Sequence, residues 1–243
     1  MVAQDVRRLL REVLDPSAGA CTIAISRLVD ADPGAGATPQ DILHLATATL
    51  GSGEVPIGPI EYADEEVDYS VRSDMPVALV TVGGSDPGTS VTLRLGLALA
   101  SGGCLGVGGS RYGHLPHVVE LQDPSAVLLP DIEAALAELV VYTRERARLL
   151  GFTGRVEASL EIHAPGPIVP YIVDPESGSA MPGPSLADFE QLRFSYSLDM
   201  STPQIEGAVY DAARELARRF AADAPQFLHD PAAVQSAQTP AAS

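Results

Sequence analysis

Two helices of this chain begin in the same way. The segment PDIEAAL from Pro130 and the segment PQIEGAV from Pro203 share proline, isoleucine, glutamate and alanine at matching positions. Each residue has a local reason: proline fits the first helical turn, where its missing N–H is not needed, glutamate suits the positive end of the helix dipole, and isoleucine opens the buried stripe. Each helix follows an alternating stretch that ends in aspartate, HVVELQD before Asp123 and LRFSYSLD before Asp199. Any two amphipathic helices that start with proline share part of this pattern. Read as a duplication, it predicts two strand-strand-strand-helix modules.

The rest of the chain can be parsed around that frame. Val6, Leu9, Leu10, Val13 and Leu14 fall at helical spacing, and Asp15-Pro16 with Gly19 stops the helix. ACTIAISRLVD alternates and reads as a strand, and Thr38 caps a second helix with Pro39 at its first position. From about residue 60 the period becomes two, with EYADEEVDYSVR, PVALVTVGG and TSVTLRLGLALA separated by turn-like segments. A long helix spans about 130 to 150. RVEASLEIHA, IVPYIVD and FEQLRFSYSLD then read as strands before a last helix from Pro203 to about Ala222. In that helix Asp211 with Arg214 and Glu215 with Arg219 stand at the spacing of outward ion pairs.

The expected fold is therefore α+β: a mainly antiparallel sheet from two repeated modules, 59–150 and 151–222, with helices on one face and an N-terminal helix-strand-helix extension, 1–58. Residues 1–222 are expected to form one domain. Residues 223–243, rich in Ala, Pro, Gln and Ser, are expected to be a mostly disordered tail anchored by Phe227 and Leu228.

Charge narrows the function. The chain has 32 acidic and 15 basic residues among 243, a formal net charge of -17, and every base is arginine. A body this acidic repels phosphate backbones, so broad nucleic-acid binding and electrostatic attachment to anionic membranes are not expected. A small local cluster of arginines escapes that argument. No apolar run reaches the roughly 20 residues that span a bilayer, and the charged, amphipathic start is unlike a signal peptide. The expectation is a cytoplasmic protein, and the lysine-free, alanine-rich composition fits a GC-rich bacterial coding bias.

Candidate chemistry is sparse. SGGCLGVGGS invites a phosphate-loop reading with Gly106, Gly108 and Arg111 as ligand-binding candidates, but no lysine completes a Walker loop and Arg111 stands where a dinucleotide fingerprint needs its third glycine. A flexible or bulged hairpin connection is the plainer expectation. Cys104, His114 and His117 could bring a thiol to an imidazole, or join Glu120 around a metal, yet the spacing matches no standard zinc pattern. A structural cysteine and loop histidines explain them more simply. The segment with Glu61, Asp64, Glu65, Glu66 and Asp68 reads as a charged edge strand, or as an acidic docking face for a partner. The arginines Arg144, Arg146 and Arg148 are accounted for by the negative end of the long helix.

The function these features favour is a non-catalytic protein-binding or regulatory accessory module acting through an acidic surface, with a protein partner or a second copy of the chain and without metal or cofactor. The alternative is a small-molecule binder or enzyme with its site at the seam between the modules or near Gly102 to Gly109.

Overall fold

The structure, a computed structural model, describes residues 2–32, 34–51, 67–83, 92–110, 121, 123–174 and 177–232. In chain order these residues form α1 (Val2–Leu14), β1 (Cys21–Leu28), α2 (Pro39–Gly51), β2 (Val67–Arg72), β3 (Met75–Gly83), β4 (Thr92–Leu99) and β5 (Cys104–Ser110). They continue with β6 (Ala126–Leu128), α3 (Leu129–Leu149), β7 (Arg155–His163), β8 (Val169–Val173), β9 (Ala180–Pro182), β10 (Leu192–Ser197) and α4 (Thr202–Arg219). Seven strands make one sheet in the order β10-β7-β1-β5-β4-β3-β2, and β6, β8 and β9 make a second, small sheet. Every pairing in the large sheet is antiparallel. The α+β class and the antiparallel sheet expected from the sequence are present.

The strand assigned to an N-terminal extension sits in the interior of this sheet, third from the β10 edge. β1 pairs with β5 on one side and with β7 on the other, Ile25 lying opposite both Gly106 and Ser159. Its residues divide by parity. Ala24 and Leu28 join the core beneath α3 and α4, with Leu97, Leu105, Val107, Leu160, Leu136 and Leu216, whereas Cys21, Ile23 and Ile25 pack against α1. Both faces of the central strands are thus covered, which departs from the expectation of helices on one face. Ser26 of β1 and Thr143 of α3 form a buried polar bridge between the strand and the helix, Oγ to Oγ1 at 2.6 Å.

α1 reaches the sheet because the floor under it lacks side chains. A helix of 13 residues is marginal alone in water. It forms here by burying Val6, Leu9, Leu10, Val13 and Leu14, each worth about 1.5–3 kcal/mol when fully removed from water. Gly96 of β4 lies opposite Gly108 of β5. A Cβ at Gly106 would come within 2.7 Å of Val6 and 2.8 Å of Leu10, and one at Gly108 within 2.6 Å of Leu14. The run from Ser101 to Ser110 is therefore a tight turn, with Gly102 and Gly103 at positive φ, followed by a strand buried along its whole length. It is not the loose hairpin connection that its glycine content suggests. Arg94 closes the other end of α1 by donating from Nη1 to the carbonyl of Val13 at 3.2 Å.

The duplicated modules are not reproduced. In the first half β2 to β5 enter the large sheet, while in the second only β7 and β10 do, and IVPYIVD leaves for the small sheet as β8, parallel to β6. HVVELQD lies outside the described residues except for Leu121 and Asp123. The matching helix starts are real at the level of sequence, with Ile132 and Ile205 both buried, but their glutamates diverge. Glu206 is exposed. Glu133 is fully buried and accepts hydrogen bonds from three successive backbone N–H groups, Gln226 at 2.9 Å, Phe227 at 2.7 Å and Leu228 at 2.9 Å. Burial pushes this carboxyl up from its ordinary value, and the three donors hold it partly back. The segment after α4 is thus fastened through its backbone at residues 226–228; residues 233–243 lie outside the described residues.

Four substitutions test this packing. Gly108→Ala sets a methyl against Leu14 and 3.0 Å from the carbonyl of Thr22, which is backbone and cannot yield; a loss of about 1–3 kcal/mol is expected in denaturant unfolding. Gly207→Ala in α4, where nothing stands within 4 Å, should raise stability by about 0.5–1 kcal/mol. Glu133→Ala leaves three half-buried donors without their acceptor and should cost about 2–4 kcal/mol and speed hydrogen exchange at residues 226–228, while Glu206→Ala should stay within about 0.5 kcal/mol of the parent.

Candidate functional site

α1 is narrower than the sheet it covers. It packs on β5, β4 and β1, and among the described residues no helix covers the same face of β7 and β10. The alternation of β7, one face buried and the other half-exposed, puts Arg155, Glu157, Ser159, Glu161 and His163 in a row on that bare face. β10 adds Arg193 beside Ser159 and Ser195 beside Glu157. β1 contributes Arg27 opposite Glu157, and the near edge of α1 brings Ala3 and Arg7. Together they bound a groove of about 510 Å³ lined by Arg7, Arg27, Arg155 and Arg193 with Glu157, Ser159 and Ser195.

Two carboxylates organise the arginines. Glu157 lies 2.6 Å from Arg27 and 3.3 Å from Arg155; the hydrogen bond from Arg27 and the charges of both guanidiniums hold its carboxyl below the ordinary value against slight desolvation. Glu161, its side chain 13% exposed, lies 2.5 Å from Arg7 Nε and 3.1 Å from Arg11 Nη2, and accepts from Gln191 Nε2 at 2.7 Å. Nε2 of His163 is engaged from two sides, at 3.1 Å from both Arg11 Nε and Glu161 Oε2. Burial alone would raise the Glu161 carboxyl; the contact with His163 and the charges of Arg7 and Arg11 outweigh it, and the carboxyl is held below its ordinary value. Arg193 has no carboxylate partner among the described residues, and its Nε donates to Gln191 at 2.8 Å. Four guanidiniums facing one carboxylate in the lining leave the groove cationic within an acidic protein, and a concave wall focuses that field.

The residues singled out in the sequence lie elsewhere or outside the described residues. Cys104 is 1% exposed at the start of β5, and burial pushes its thiol up to about 12; Cys21 is in the same condition. Neither is poised as a nucleophile. Gly106 and Gly108 form the floor under α1, so no ligand reaches them. Arg111, His114 and His117 lie outside the described residues, as do Glu61, Asp64, Glu65 and Glu66. Asp68 is exposed on β2 and paired with Arg72 at 3.3 Å. Of the three helix-end arginines, Arg146 is not a surface cation at all: it is 1% exposed, lies 3.2 Å from Asp41 and donates to the carbonyl of Gly36, tying the start of α2 to α3. The pairs Asp211 with Arg214 and Glu215 with Arg219 form at 3.5 Å and 2.9 Å.

Sequence reasoning passed over Arg7, Arg27, Arg155, Arg193 and Glu161. A signal was present in the strict alternation of RVEASLEIH, which gives one wholly polar face, but the strand neighbours that complete the groove come from residues far apart in the chain. No protein-family model, curated protein or solved structure matches this chain. No described helix is long and apolar enough to cross a membrane.

The Glu161 cluster carries a pH signature. A carboxyl held below its unfolded value of about 4.5 contributes stability that is complete above that pH and is lost as pH falls through the folded value. Unfolding by denaturant measured from pH 7 to pH 3 should show stability falling below about pH 4.5, and Glu161→Gln should flatten that fall while lowering stability at pH 7. An unchanged slope in the variant would refute the assignment.

Proposed function

We propose that this chain is a non-catalytic binding module that recognises an anionic ligand in the arginine-lined groove over β1, β7 and β10. The observation that carries this reading is the convergence of Arg7, Arg27, Arg155 and Arg193 in one concave site on a chain of net charge -17. Such a contrast favours a short, compact anion: the acidic body repels a long polyanion, while the local cationic field attracts carboxylates or phosphates that fit inside it. Guanidiniums are suited to this, since their planar donors match carboxylate and phosphate oxygens in pairs. The volume falls in the range of ligand clefts. Against a catalytic reading stand the two buried thiols with raised pKa values and a histidine already engaged by Arg11 and Glu161.

On this reading recognition lies in the groove; of the acidic segment 61–68 Asp68 alone among the acids is described, and it pairs with Arg72. The partner is a protein or small molecule presenting negative charge.

Calorimetric titration with citrate at low ionic strength tests the reading. The parent protein should bind, with affinity falling as salt rises. Arg193→Ala should weaken binding about tenfold or more, as expected for loss of one charge-assisted hydrogen bond worth about 1.5–3 kcal/mol, while Arg214→Ala on the outside of α4 should leave it unchanged. Absence of binding in the parent, or equal loss in both variants, would overturn the proposal.

A further inference from the structure

The wall of the groove formed by β10 is also an edge of the large sheet. In an antiparallel pair, residues alternate between those whose N–H and C=O point to the partner and those whose groups point away. Leu198 N–H donates to the carbonyl of its direct partner Gly154, which fixes the phase: Tyr196, Phe194 and Leu192 turn their backbone groups toward β7, and Arg193 and Ser195 turn theirs outward. The two outward-facing residues are exposed. Chain contacts close the edge at either end. Ser197 N–H meets Met200 Sδ at 3.4 Å and its carbonyl accepts from Met200 N–H, while the carbonyl of Glu190 accepts from Arg219. Between these stops the N–H and C=O groups of Arg193 and Ser195 have no partner among the described residues.

We infer that the ligand of the groove is an extended acidic peptide segment of a partner protein, which adds as a short strand to β10 and turns alternate carboxylates toward Arg193 and the arginines behind it. The inference rests on the anion-binding reading above and adds to it the backbone recognition. Strand addition draws affinity from main-chain hydrogen bonds and selectivity from alternate side chains, since every second residue of the added strand faces the groove. The side chains of Arg193 and Ser195 stand on the groove face, so the same two residues present both the free backbone and the charge. Charge also selects the occupant. A second copy paired through its own β10 would bring Arg193 of each chain together beside further arginines, an unfavourable contact between like charges. The last residues of this chain, 233–243, contain no acid and do not complement the groove.

The test uses a fluorescein-labelled hexapeptide alternating glutamate and threonine, and the same peptide N-methylated at the amides that would face β10. Anisotropy titration with the full chain should show binding of the first and at least tenfold weaker binding of the second, at equal charge. Ser195→Pro removes an N–H that points away from the sheet, a place where an edge strand tolerates proline; it should weaken the unmodified peptide to a similar extent. Equal affinity for the two peptides in the parent protein would overturn strand addition while leaving the anion-binding groove intact. Failure of the parent to bind citrate and both peptides would overturn both readings. A dimer in native mass spectrometry that Ser195→Pro dissolves, with no peptide binding, would show that the edge serves a second copy and would overturn the acidic-peptide assignment.

Discussion

The close approach of α1 to the glycines of β4 and β5 governs what surrounds it. Leu10 lies over both Gly96 and Gly106, and Leu14 lies over Gly108, so the helix settles into the sheet instead of riding above it. That seat fixes where α1 ends laterally. Arg7 and Arg11 emerge from the edge nearest β7 and meet Glu161 there, and the remaining width of the sheet is left as an open polar surface. A bulkier floor would lift the helix and move the two arginines away from the carboxylate that orders them. The groove is therefore a by-product of how tightly an apolar helix face was allowed to pack.

Local features were legible in the sequence and long-range ones were not. Helix periodicity located α1, α3 and α4, and the five buried residues of α1 are those its spacing picks out. Alternation found β3, β4, β7 and β10 to within a few residues. What escaped was partner choice. Nothing in ACTIAISRL announces that it lies between residues 104–110 and 155–163, because a half-buried strand and a central one differ only in what covers their second face. Glycines 106 and 108 suggested a loop, since glycine is a poor strand former; their value here is a missing Cβ, which only the neighbouring helix reveals. Similarly, charge counting treated the arginines as a diluted minority, and the four in the groove became a group only through the register of β1, β7 and β10.

Buried polar groups show the same division between local and tertiary roles. Glu133 and Glu206 occupy equivalent places at the starts of two similar helices, where the dipole accounts for either. Tertiary structure gives the first a second task, as acceptor for three consecutive amides of the chain beyond α4. Arg146 likewise exchanges a solvated helix end for Asp41 and the carbonyl of Gly36. Charges removed from water in this way demand their partners, because leaving either side unmatched costs more than the pair contributes. They make the ends of α2 and of the C-terminal segment depend on α3.

The interior position of β1 has a consequence in time. The strand is made well before either of its partners, the nearer of which begins at Cys104 and the other at Arg155. Its edges wait unpaired until those partners are made, and closing such large loops slows folding. Premature pairing of this apolar segment with another nascent chain is the hazard that follows. The order of synthesis and the order of the sheet are opposed: β2, β3 and β4 are made before β5 and β7 can close on β1.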